Sequence, residues 1–108
     1  MIARIWHTGI VAGKVDDYQE FANQKSLPMF RQQKGLIGVQ ILTQKDKSLV
    51  ITLWNDENDI HKMEQNPVYI QTVNEIIETG FLTDEQHVEI FEFPLGFFDF
   101  QQLEGFRK

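Results

Sequence analysis

Cysteine is absent from this chain of 108 residues. That alone excludes disulfide bridges, thiolate nucleophiles and Cys-ligated metals. Basic clusters are missing as well. The net charge is -6, with 10 Lys and Arg against 16 Asp and Glu, and the nearest approaches to a patch are Lys45 with Lys47 and the terminal Arg107-Lys108. Neither nucleic acid nor an anionic membrane is the partner this charge balance predicts. No basic leader or long apolar run follows Met1, so no signal peptide or membrane span is expected, and the cytoplasm is the expected compartment. A G-x-S-x-G elbow is lacking, and Gly35-x-x-Gly38 has neither the third glycine nor the helix that a phosphate loop needs. There is no internal repeat and no low-complexity stretch. Proline occurs at only three positions, Pro28, Pro67 and Pro94, and each punctuates the apolar pattern.

What is present suits one globular domain. Apolar residues make up 42% of the chain and charged residues 24%, and the length allows a single modest core. Alternation predicts a first strand over residues 2–8. Val15, Tyr18, Phe21 and Ala22 then recur at helical spacing, with Asp16 and Asp17 in the first turn, where carboxylates suit the helix dipole. Pro28 should kink or restart this helix, and Gly35 is placed to close it as a C′ residue. Strands are expected over residues 36–44 and 48–54. Asn55-Asp56-Glu57-Asn58-Asp59 signals the start of a short helix, and Asn66-Pro67 a second start, followed by Tyr69, Val73, Ile76 and Ile77 at helical spacing. A last strand over residues 86–93 ends at Pro94. The order β-α-β-β-α-β is a ferredoxin-like split βαβ, an α+β fold with a four-stranded antiparallel sheet and its helices on one face.

The run Leu49-Val50-Ile51-Thr52-Leu53-Trp54 is apolar on both faces, whereas a sheet wetted on one side alternates apolar with polar. The helices suffice to cover one face. A second copy of the chain is expected to cover the other, because an isologous contact uses one patch twice. Residues 1–94 form the expected domain. The tail 95–108, with Phe97, Phe98, Phe100 and Phe106, is too aromatic for water and is expected to pack on the domain or as an arm on the partner protomer.

Met1-Ile-Ala-Arg-Ile-Trp6, Leu27-Pro28, Gly35 through Gly38, Ile51-Thr-Leu-Trp54-Asn-Asp-Glu and His87-Val-Glu-Ile-Phe-Glu92 together resemble the antibiotic biosynthesis monooxygenase (ABM) domain family of the dimeric α+β barrel superfamily. The resemblance covers roughly residues 1 to 94. It implies a pocket between sheet and helices in each protomer of a homodimer. It also implies activities such as cofactor-free oxygenation of polycyclic phenols, quinol oxygenation or haem degradation. The haem-degrading relatives carry an Asn, a Trp and a His where this chain has His7, Met63 and Val73, which argues against that route.

The candidate chemistry is sparse, and each residue has a plain alternative. His7, on the strand face of Ala3 and Ile5 that the resemblance turns toward the pocket, is either a general base for a phenol or enol or a solvated strand-end histidine. Trp54 is either a pocket wall or packing, while Trp6 reads as packing. Tyr69 is either a core tyrosine with a hydroxyl partner or a donor to a substrate oxygen. Phe21 and Met63 complete the expected pocket lining. Arg4, in an apolar strand, needs a carboxylate, for which Glu89 or Glu92 is available. His61 reads as solvent-exposed, His87 as a strand-rim residue, and Asp56, Glu57 and Asp59 as capping. No histidine pair has metal-like local spacing, so neither metal nor cofactor is expected. Two readings follow: a cofactor-independent oxygenase of a small aromatic, phenolic or quinol substrate, or a non-catalytic ligand-binding or assembly module.

Overall fold

The computed structural model describes residues 1–83, 86–93 and 95–103. The expected stop at Pro94 and the tail positions 104–108, Phe106 among them, lie outside the described residues. Four strands, β1 (Ile2–Gly9), β2 (Leu36–Thr43), β3 (Lys47–Trp54) and β4 (His87–Glu92), form one antiparallel sheet in the order β2-β3-β1-β4. Helices α1 (Val15–Phe21) and α2 (Leu27–Arg31) join β1 to β2, and α3 (Glu57–Glu64) and α4 (Pro67–Glu78) join β3 to β4. This is the expected ferredoxin-like α+β topology.

Register decides which side chains meet the helices. Arg4 lies opposite Thr52 and Trp6 opposite Val50, and in β2 Val39 and Ile41 face the same two positions of β3. Directly opposed residues share a face. Trp54 and Val50 pack there with Met29 and Phe30 of α2 and Ile60 and Met63 of α3, and Ile10, Tyr18 and Ile76 form a neighbouring cluster. The alternate residues Ile5, His7, Leu49 and Ile51 occupy the outer face, which the helices do not cover.

Local chemistry explains the helix boundaries. Asp56 caps α3 by accepting from the Asp59 amide at 3.2 Å, and Asn66 caps α4 by accepting from Val68 at 2.8 Å, with Pro67 in the first turn. The expected restart at Pro28 takes a particular form. Pro28 has no N–H for the carbonyl of Gln24, and its ring crowds that carbonyl. A π-helical turn, Ala22–Ser26, runs just ahead of it, with right-handed helical backbone at its flanking residues Phe21 and Leu27, so helix continues from α1 into α2. Gly35 does not close that helix as expected. The helix ends at Arg31, and Gly35 belongs to the turn into β2, with φ +84° and the Asp59 carboxylate where a Cβ would stand.

Candidate functional site

Two concave features lie on the helical side of the sheet. A small chamber of about 50 Å³ sits between β1 and the helices, with Arg4, Trp6, Tyr18 and Tyr69 in its wall. That is room for a few waters, not for an aromatic ring. An open groove of about 830 Å³ runs between β2 and the α1–α2 helix, past Asn23, Leu27 and Gln40. Ala22, Phe30 and Ile41 line both, so the two lie side by side across one layer of side chains. The π turn supplies Ala22 and Ser26 to the chamber. Its slipped hydrogen bonding aims side chains that an uninterrupted α-helix would turn elsewhere.

Arg4 is the charged group of the chamber, and it is only 4% exposed. Its Nε donates to Glu64 Oε2 at 3.0 Å and its Nη2 to the Tyr69 hydroxyl oxygen at 2.9 Å. The guanidinium carbon also lies 5.6 Å from the centre of the Tyr69 ring. The glutamate expected from β4 is thus replaced by one at the end of α3. Glu89 fails because Arg4 turns toward the helices while Glu89 belongs to the other face and bonds His7; Glu92 shares Arg4's face, opposite Ile2, but Arg4 turns to Glu64 and Tyr69 instead. Because Tyr69 accepts from Arg4, its own proton is left to donate to a further oxygen. The Arg4 Nη1 has no protein partner among the described residues. Deeper in, the Tyr18 hydroxyl donates to Ser48 Oγ at 2.9 Å, and Ser48 passes the bond to the Leu42 carbonyl at 2.8 Å. Burial pushes the Tyr18 phenol above its ordinary range, and the bond to Ser48 offsets part of that rise.

The residues expected to shape a site are scattered. Tyr69 lines the chamber. Trp54 and Met63 are sealed in the core and touch neither cavity; Trp54 donates to Thr52 Oγ1 at 2.8 Å. Phe21 packs against the Ile10–Tyr18–Ile76 cluster and lines neither cavity. His7, expected to face the pocket, does not. The two-residue period that brings Arg4 and Trp6 inward sends His7 to the outer face. There it stacks on His87 with ring centroids 4.1 Å apart, and its Nε2 lies 2.7 Å from Glu89 Oε1. His61 is exposed as expected, 3.8 Å from both Glu57 and Glu64. In the sequence Arg4 stood out only as a charge in want of a partner and Tyr18 only as part of a helix's apolar face, neither as a group of the chamber. The available signal was a lone charge at an inward-facing strand position.

These features define a class. A four-stranded ferredoxin-like sheet with its helices on one face is the fold that this chain shares with solved antibiotic biosynthesis monooxygenase structures. SnoaB from Streptomyces nogalater, a cofactor-independent oxygenase, superposes with a TM-score of 0.72 at 10% identity, over 88% of this chain and 94% of that one. Rv0793 from Mycobacterium tuberculosis gives 0.68 at 13% identity over 88% and 95%. A provisionally assigned antibiotic biosynthesis monooxygenase from Nitrosomonas europaea gives 0.73 at 11% identity over 88% and 100%. No family model and no curated protein matches the sequence. The resemblance read from the sequence therefore holds for the fold. No described helix is long and apolar enough to cross a membrane.

Proposed function

We propose that this protein is a monooxygenase-like enzyme that oxidises a small phenolic or quinol substrate without a cofactor, in the cleft between β2 and the helices. The observation that carries this reading is the buried Arg4, held by Glu64 and Tyr69 at the chamber wall. The substrate ring enters from the groove, and bringing its hydroxyl to the chamber requires the shared wall of Ala22, Phe30 and Ile41 to move aside. A guanidinium is a fixed cation, so it favours the ionised form of that hydroxyl, whose proton passes to solvent water. Tyr69 donates a second hydrogen bond to the same oxygen. The electron-rich phenolate then reduces dioxygen. One oxygen atom enters the ring as a carbonyl and the other leaves as water, so the substrate itself supplies all the electrons. The SnoaB fold, that of a cofactor-independent oxygenase, supports the class of reaction.

The proposed assembly is a homodimer through the outer sheet face, which carries Ile5, Leu49, Ile51 and Phe91. A second reading, a ligand-binding or assembly module without chemistry, is favoured by one observation: no histidine or carboxylate lines the chamber or groove among the described residues. Oxygen uptake with a panel of quinols and polycyclic phenols separates the two. The oxygenase reading expects turnover above background by the wild type, at least about a tenfold loss in Arg4→Leu, the scale of removing one electrostatic stabiliser, and a smaller loss in Tyr69→Phe. Loss in His7→Ala with Tyr69→Phe unaffected would overturn it. Background rates throughout, with saturable binding of a phenol, would establish the second reading.

A further inference from the structure

On the face away from the cleft, His7, His87 and Glu89 bring three ligand atoms within 4.8 Å of one another. We infer that these three side chains, at the β4 edge of the same outer face that is proposed for the dimer contact, form a site for a divalent transition-metal ion of the zinc class at the rim of that contact. The donor set, two imidazoles and one carboxylate, is one that zinc accepts in three-ligand sites that keep a fourth position open. It sits on a stiff frame. His7 belongs to β1, which is paired on both sides, and it lies directly opposite His87 in the β1–β4 ladder. Glu89 follows two residues later on the same face of β4. The ligands therefore come from three adjacent positions of one hydrogen-bonded pair of strands, and little chain entropy is lost on binding.

Binding asks for a rearrangement of side chains on an unmoved backbone, since the ligand atoms lie within 4.8 Å of one another and the two imidazoles are stacked rather than convergent. His7 Nε2 and Glu89 Oε1 are 2.7 Å apart, whereas two tetrahedral ligands about 2.0–2.1 Å from zinc lie about 3.3 Å apart. The two imidazole planes are 9° from parallel, and a rotation of the exposed His87 ring turns its lone pair toward the same point. The remaining charges favour a cation, since the chain carries a net -6. The spacing along the sequence hides this site: residues 7 and 87 become neighbours only when the fourth strand adds beside the first. The site faces away from the cleft, so the ion holds no place in the oxidation proposed there.

Titration of tag-free full-length protein with Zn²⁺ by calorimetry, and with Co²⁺ by visible absorption, tests the inference. One ion per chain should bind saturably, with the strong ligand-field bands of a tetrahedral Co²⁺ centre. His87→Ala and Glu89→Gln lie at exposed positions and should keep the fold by circular dichroism. Each should weaken Zn²⁺ binding by at least about tenfold, the low end of what losing even an outer-shell partner costs. His61→Ala removes the exposed histidine beside Glu57 and Glu64 and should bind as the wild type does. No saturable binding by the wild type, unchanged binding in both His87→Ala and Glu89→Gln, or loss in His61→Ala instead would overturn the assignment.

Discussion

Tyr18 shows how a single buried group ties the stability of this protein to pH. Its hydroxyl is enclosed between α1 and β3 and bonded to Ser48. Desolvation disfavours the phenolate, so the folded chain holds the phenolic proton more tightly than the unfolded chain does. A group whose pKa is raised on folding gives its full contribution below its unfolded value, about 10 for tyrosine. It loses that contribution as pH rises through the higher folded value. Wild-type stability should therefore fall above about pH 10. Tyr18→Phe should cost about 1 kcal/mol at neutral pH, for one neutral hydrogen bond, and decline less steeply in alkali. Urea midpoints between neutrality and strong alkali would check both, and parallel slopes would contradict the account. Arg4 teaches a related lesson about what a sequence tells. Its need for a carboxylate was legible from a lone charge in an apolar strand. Its partner was not, because the choice between Glu64 and Glu89 depends on which strand face turns toward the helices.

At the scale of elements, the strand and helix order was legible because each segment keeps its own apolar period and its turns carry Asp56, Asn66 and Pro67 where caps and first turns need them. The π turn was not, since it is a slip in hydrogen bonding rather than a change in pattern. The turn into β2 was misread for a similar reason. A glycine after a helix suggests a cap, yet Gly35 is fixed by two tertiary demands: a positive φ, and the approach of Asp59 from α3. Gly35→Ala should cost about 1–3 kcal/mol, the range for a non-glycine residue held in a strained backbone region. Thermal unfolding of Gly35→Ala, Asp59→Ala and the double variant would separate the demands. The double variant should recover the part of the steric cost that the carboxylate causes, and keep the backbone part together with the contact to the residue-59 Cβ, 2.8 Å from the added carbon. Full recovery would mean that φ contributes nothing, and no recovery that the carboxylate yields freely.

The whole molecule presents apolar surface that the helical layer never reaches. On the outer face Leu42 is 46% and Phe91 49% exposed, and in the tail Leu95 and Phe97 are 85% and 87% exposed. A tail read from its composition as packed does not bury these side chains on its own domain. Apolar surface left in water favours association, and a two-fold contact lets one patch cover its own copy. The proposed dimer thus has two components, face against face and the tail reaching across. They should be separable. Sedimentation of the full chain should give twice its 12.7 kDa mass. Leu49→Glu, which places a charge on that face, should shift the mass to that of one chain. It should also remove the dependence of the unfolding temperature on protein concentration that linked folding and association require. Deleting residues 95–108 should weaken the dimer without abolishing it and lower the unfolding temperature, because the face remains. A full-length chain that sediments as a monomer would refute the dimer. A deletion that changes neither mass nor unfolding temperature would confine association to the sheet face and remove the arm from it.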